Sequence, residues 1–319
     1  MTNFDWNAPC ARPLTLRNRR KSVADAVTNH NPLLARMDKK GLIREGFGGG
    51  RSFLEPIMYG SNSSAKFYSG YDTFTPDTAS EVLDASEWQI RQLGAFITWS
   101  GLEKLQNRGS AQAVDLMATK EKHAIATLKN MFAASIFSDG TAYGSKEFSG
   151  LKLICANDPT AAGTVGGIDQ VANTWWRNKF SAAVSTTKDN IQGRMNDMEL
   201  AINRGSDTAD IIIAGATLFR LYEDSLQPLQ RITSAKSADA GFTSYAYKSK
   251  EVFYDFNCPT KSMYFLDTDS LSFRYASDRW FDVGDARTVT NADYEVVPIW
   301  VAGNLTCNDR ARNGVILAS

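Results

Sequence analysis

Two histidines and four cysteines are all that this chain offers to the commonest general-base, metal and redox chemistries. His30 and His123 stand far apart, and neither has a second His or Cys at metal-ligand spacing. Histidine is the side chain most often used as a general base, so its scarcity weighs against catalysis. Cys10, Cys155, Cys258 and Cys307 form no C-x-x-C pair, which leaves no zinc or redox motif. They are expected as free, mostly buried thiols in a reducing compartment. Asp267-Thr268-Asp269 has two carboxylates at a spacing that could touch a cation. The Gly and the distal Glu of a calcium loop are missing, so an acidic turn between strands is expected.

The glycine-rich stretches are no better as phosphate sites. Gly46-Phe47-Gly48-Gly49-Gly50-Arg51-Ser52 lacks the Lys of a P-loop. It also precedes a strand, whereas a phosphate loop follows one and opens a helix. It reads as a hinge, and Gly163-Thr164-Val165-Gly166-Gly167 as a loop. There is no G-x-S-x-G elbow. Trp175-Trp176-Arg177 could stack on bases or sugars, but such a pair beside a helix more commonly packs a core and an interface. No catalytic residue, metal or cofactor is assigned, and the motifs identify no enzyme.

The composition is that of a soluble globular protein: 319 residues, 43% hydrophobic and 22% charged. Disorder as the dominant state is excluded, and the length allows one large domain or two to three smaller ones. Thirty-five basic residues balance 35 acidic ones. That argues against a dedicated nucleic-acid binder and leaves little self-repulsion between packed copies. No apolar run approaches the roughly 20 residues needed to span a bilayer, and Met1 to Trp6 do not open a signal peptide. The expectation is a chain made in the cytoplasm and free of membranes.

The charge is unevenly placed. Residues 1–50 hold nine Lys/Arg against four acids, a net of +5, so the remainder carries −5. Pro9, Pro13 and Pro32 and the terminal glycine run make this segment an extended arm with a joint, with a short helix expected between Ser22 and Met37. Strands are expected over Arg51–Tyr59 and Ser86–Thr98. The connection of roughly 25 residues between them is too long for a tight hairpin. Its aromatics Phe67, Tyr68, Tyr71 and Phe74 either meet a partner or fold back onto their own domain.

Residues 109–137 give the clearest helix, with Val114, Met117, Ile125, Leu128, Phe132 and Ile136 on one face, a rod of about 40 Å. His123 lies on it as a structural or exposed histidine. Beyond it, strand (151–155), helix (187–203), strand (209–214) and helix (216–226) alternate, which argues for an α/β or α+β unit. Strands over 263–266, 271–275 and 294–305 follow, separated by turn signals.

This order of segments resembles the major capsid protein of tailed bacteriophages, the Hong Kong 97-type fold. Two stretches are similar to the family locally. One is Gly166-Gly167-Ile168-Asp169 leading into Asn173-Thr174-Trp175-Trp176-Arg177. The other runs through Asn257-Cys258-Pro259, Met263 to Thr268, Leu271, Ala302 to Cys307, Arg310 and Gly314-Val315.

The resemblance implies an α+β fold with four parts. They are an N-terminal arm (1–50), an extended β-loop (51–100), a peripheral domain with a spine helix (101–150 and 253–302) and an axial domain (151–252 and 303–319). It implies a non-enzymatic, self-assembling shell of pentamers and hexamers, located in the virion and built in the host cytoplasm. The expected partners are further copies of the chain, a separate scaffolding protein or none, a portal protein, a decoration protein and nonspecifically held double-stranded DNA. The expected assembly residues are Arg17, Arg19, Arg20 and Lys21 of the arm, Phe67, Tyr68, Tyr71 and Phe74 of the loop, and Asp285 and Arg287 near threefold contacts. Two other readings compete: an encapsulin-like cargo shell, and an unrelated α/β enzyme or binding protein.

Overall fold

The computed structural model describes residues 32–46, 49–60, 65–73, 83–106, 116–205, 208–226 and 244–319. The arm residues Arg17, Arg19, Arg20 and Lys21, along with Phe74, lie outside them. The first part of the chain runs α1 (Pro32–Lys39), β1 (Ile43–Glu45), β2 (Ser52–Met58), β3 (Leu83–Gln89), β4 (Arg91–Ser100), α2 (Gly101–Gln106) and α3 (Leu116–Ser135). The middle runs α4 (Ala142–Ser145), α5 (Leu151–Ile154), β5 (Thr164–Val165), β6 (Ile168–Asp169), β7 (Lys179–Val184), α6 (Ile191–Ile202), β8 (Ile211–Ala214) and α7 (Ala216–Leu226). The rest runs β9 (Ser244–Tyr247), β10 (Lys250–Tyr254), β11 (Ser262–Leu266), β12 (Leu271–Val283), β13 (Arg287–Thr288), β14 (Tyr294–Cys307) and β15 (Gly314–Ala318).

The chain divides into two compact units. The described residues of the smaller fall within 92–134 and 276–302, and those of the larger within 31–91, 135–275 and 303–319. In the smaller unit β14 pairs with β4, β12 and β13. One sheet face meets α3 through Ile97, Trp99, Leu128, Val297 and Ile299. Phe132 of α3 sits edge-on to Trp280 and Phe281, at 5.8 and 6.4 Å between ring centres. Leu128 and Phe132 are buried at the four-residue spacing that defines one helix face. The described helix ends at Ser135, two residues before the expected end, and 109–115 lie outside the described residues.

The larger unit is built on a mixed six-stranded sheet of order β7-β15-β11-β8-β10-β9. Its central strands, Ile211-Ile212-Ile213-Ala214 and Ser262 to Leu266, are buried on both faces, which explains their unbroken apolar runs. One face takes α6 and α7 through Ile191, Met195, Met198, Ile202, Leu218 and Tyr222. On Tyr264, Phe137 packs at 6.3 Å between ring centres. Cys155, Cys258 and Cys307 are free and buried. Burial pushes the Cys155 thiol up to about 12 and raises the other two as well.

The strand expected over 151–155 is instead the single-turn helix α5. Leu151 and Ile154 are buried three residues apart while Lys152 faces solvent, a helical spacing within a run too short to separate the two periods. Gly150 sets the turn. Its backbone lies so close to the end of α3 that an added Cβ would stand 2.7 Å from the Ile136 carbonyl oxygen, and nearer still to those of Ser135 and Ser138. The strand expected over 86–98 is two strands, β3 and β4, broken at Ile90.

Gly150→Ala is expected to lower stability by about 1–3 kcal/mol through this overpacking. Urea unfolding should show a lower midpoint with an unchanged slope.

Candidate assembly surface

β2 and β3 form an isolated antiparallel ribbon, paired from Ser52↔Gln89 to Met58↔Leu83. The 24 residues between them leave and return at its far end. Strand alternation gives it two unlike faces. Phe53, Glu55, Ile57, Ser86 and Trp88 point inward and are buried. Leu54, Met58 and Leu83 point outward and are 61%, 76% and 67% exposed. A ribbon of two strands is not stable alone, so its seat matters.

That seat lies within the larger unit and is partly polar. Arg274 Nε lies 2.6 Å from Glu55 Oε1, and Arg274 Nη2 donates to Glu55 Oε2 at 2.8 Å. The pair is thus one charge-assisted hydrogen bond and one close ion contact, in which Nε makes no hydrogen bond. The Thr306 hydroxyl donates to Glu55 Oε1 at 2.9 Å and lies 2.9 Å from the Ser272 hydroxyl. Ser86 Oγ donates to the Cys307 carbonyl at 3.0 Å, and Asn304 Nδ2 to the Gln89 carbonyl at 2.7 Å. Gly46, in the glycine hinge, lets the Arg274 stem pass: an added Cβ would sit 3.0 Å from Arg274 Cδ.

A second platform supports the ribbon. Val165 pairs with Ile168 across the turn Gly166-Gly167, whose φ values are +61° and +77°, as a two-residue hairpin turn with positive φ at both positions requires. Glu87 N donates to the Gly166 carbonyl at 2.8 Å. Trp88 leaves no space for a Cβ at Gly166, where one would lie 3.2 Å from Trp88 Cζ2. Tyr59 stacks face to face on Trp175, with ring centres 4.3 Å apart and planes 5° apart. Trp176 is fully buried and donates Nε1 to the Val165 carbonyl at 2.9 Å. The Trp pair therefore packs a core and clamps the loop base.

Beneath the platform sits Arg310, fully buried. Nε donates to the Ile154 carbonyl at 2.7 Å, Nη1 to Gln170 Oε1 at 3.2 Å and Nη2 to Asn178 Oδ1 at 3.0 Å. Its guanidinium lies 5.9 Å from the Trp176 ring centre. Neutral oxygens and an aromatic face solvate the charge, and burial lowers its pKa.

The expected site residues fall in separate places. In the described stretch 65–73, Phe67 and Tyr71 are fully exposed and Tyr68 largely so. They are presented by a turn in which Ser69 N donates to Asp72 Oδ2 and Asp72 N to the Ser69 carbonyl, both at 2.8 Å. Asp285 and Arg287 are exposed in the smaller unit, on either side of the start of β13. Asp267 caps the turn Thr268–Ser270 by accepting from Asp269 N at 3.1 Å. Arg312 Nη1 is 3.4 Å from Asp267 Oδ2, so the acidic turn is structural. Among the described residues no three His, Cys, Asp or Glu side chains group as metal ligands, and His123 is exposed.

Sequence reasoning missed Glu55, Tyr59, Arg274, Thr306 and the role of Arg310. Glu55 left a signal: a charge at the middle inward position of Phe53-x-Glu55-x-Ile57 contradicts a plain apolar face and asks for a buried partner.

No family model matches the chain, and no match is found among curated protein sequences. Solved structures do match. The capsid asymmetric unit of cyanophage A-1(L) is 15% identical, covers 99% of this chain and 99% of its own, and superposes with a TM-score of 0.71. This chain has the phage-capsid fold. The capsid of Myoviridae phage XM1 is 13% identical with 97% and 98% coverage and a TM-score of 0.56. The holo-SrpI encapsulin of Synechococcus elongatus PCC 7942 is 8% identical, with 96% and 93% coverage and a TM-score of 0.61. The capsid-type α+β fold expected from segment order is thus the fold observed.

Trp175→Ala removes an aromatic stack worth about 0.5–1.5 kcal/mol at the loop base. Limited proteolysis between residues 60 and 82 should speed up severalfold, while the thermal midpoint changes by no more than a few degrees.

Proposed function

We propose that the chain is a major capsid protein, the subunit of an icosahedral phage head that encloses the genome. The observation that carries this reading is the end-to-end likeness to the cyanophage capsid unit, 99% of each chain. The outward apolar row Leu54, Met58 and Leu83 on the ribbon supports it, because a contiguous exposed apolar row of this kind marks a contact. In this reading 1–50 is the arm, 51–100 the extended loop, 101–150 with 253–302 the peripheral domain, and 151–252 with 303–319 the axial domain.

The protein's role is then structural rather than enzymatic. Its main partner is itself, in pentamers and hexamers. Phe67, Tyr68, Tyr71 and Phe74 bear on a neighbouring copy, as do Asp285 and Arg287. Arg17, Arg19, Arg20 and Lys21 meet acidic neighbours or packaged double-stranded DNA, which binds such cations without reading sequence. A scaffolding protein, a portal and a decoration protein complete the expected set. The setting is the virion. Among the described residues no helix is long and apolar enough to cross a membrane.

Negative-stain electron microscopy with sizing chromatography tests this. Closed shells, capsomers or sheets are expected, and a monomer that no scaffold converts contradicts it. Shells filled with a protein cargo instead of DNA would favour the encapsulin-like alternative. Deleting residues 61–82 should leave a folded chain with impaired assembly, and an unfolded product would overturn the loop assignment.

A further inference from the structure

The ribbon's inward face is apolar at both ends and charged in the middle: Phe53, Glu55, Ile57. A purely apolar strand face is nearly self-similar under a slip of two residues, because side chains repeat with period two and the backbone pattern repeats with them. The Asn304 bond to the Gln89 carbonyl uses a ribbon backbone acceptor, and backbone acceptors recur at each such step. The side chains Glu55, Ser86 and Trp88 do not recur, and of these buried groups Glu55 alone carries a charge. A slip of two residues either way would put Phe53 or Ile57 against Arg274 and drive Glu55 into an apolar seat. Arg274 is 32% exposed and keeps access to water, but the Glu55 carboxylate, 9% exposed in its seat, would lose its counter-charge inside an apolar one, which is costlier than a lost apolar contact. A buried ion pair adds little net stability over an apolar replacement, and its best-attested use is to fix register.

We infer that Glu55, Arg274 and Thr306 form a register pin for the ribbon. The pin sets the place and direction in which the loop beyond Tyr59 leaves the subunit, so its role is in the geometry of assembly and not in holding the fold. All three are positioning residues. The inference deepens the capsid reading and rests on it for the link to assembly, while the register claim stands on the ribbon seat alone.

The test is the triple substitution Glu55→Leu, Arg274→Met, Thr306→Val, which removes both charges together, alongside the single change Arg274→Lys, which keeps the charge and loses the Nη2 bond to Glu55. Spin labels go on the exposed positions Asp84→Cys and Leu200→Cys in a Cys10→Ser background, so that the outward row Leu54, Met58 and Leu83 stays intact. Labelled chains are diluted into unlabelled ones, and the 84–200 distance is read by pulsed electron resonance, beside thermal unfolding and shell imaging of the unlabelled chains.

The parent should give one narrow distance. The triple variant should keep its thermal midpoint within a few degrees, show two or more distances, and yield shells of mixed form. Arg274→Lys should broaden the distance without splitting it. One narrow distance and uniform shells in the triple variant would overturn the pin. A midpoint lowered by ten degrees or more in both variants would also overturn it, showing a cluster that holds the fold. If the parent never assembles but the triple variant's distance splits, the pin stands and the capsid reading fails.

Discussion

The seat of the β2–β3 ribbon on β12 and β14, centred on the Glu55–Arg274 pair, is the contact on which the rest of the structure turns. A ribbon of two strands gains too little from its own pairing to persist in water. It persists here because its inner face is built into the larger unit, leaving the outer face free for something else. Losing Arg274 would leave the Glu55 carboxylate, 9% exposed, without its counter-charge, so the pair also ties the ribbon's position to Arg274 on β12. The inner face adds Phe53, Ile57 and Trp88 to the core, while the outer row Leu54, Met58 and Leu83 adds nothing to it.

Two supports flank that seat, and both use unusual solvation. The Gly166-Gly167 turn allows Trp88 and the ribbon backbone to come close. Arg310 holds the platform with a charge satisfied by carbonyl and amide oxygens and by the Trp176 face. A lysine there would keep the charge but could not reach several acceptors in fixed directions at once. Both supports belong to the larger unit. There, the double-sided burial of β8 and β11 supplies the rigid base.

Much of this was legible from residues alone. The four-residue rhythm of Leu128 and Phe132 carries a period that a helix satisfies, and the short isoleucine run of β8 reads as a buried strand from its length and β-branched residues. The short helix α5 was not, since its three apolar residues fit either period and the deciding contact is Gly150 against carbonyls 12 to 15 residues away. The ribbon seat was hidden for the same reason. Glu55 meets Arg274 and Thr306 across separations of more than 200 residues, and no local pattern encodes such a pairing. The loop aromatics were visible as aromatics in a polar stretch, but their exposure in an isolated subunit needed coordinates. The zero net charge, which first reads as a featureless balance, is the sum of +5 over residues 1–50 and −5 over the remainder. In the proposed capsid reading, copies then pack side by side without long-range repulsion while the first segment attracts acidic surfaces.

The central claim is that the ribbon's outer face is made to be covered by another copy of the chain. Cryo-electron microscopy of the purified assembly at side-chain resolution tests it most directly. The expected result is a closed shell in which Leu54, Met58 and Leu83 of each subunit are buried against a neighbour. A particle in which those three side chains face solvent at every subunit, or a protein that stays monomeric throughout, would contradict the account.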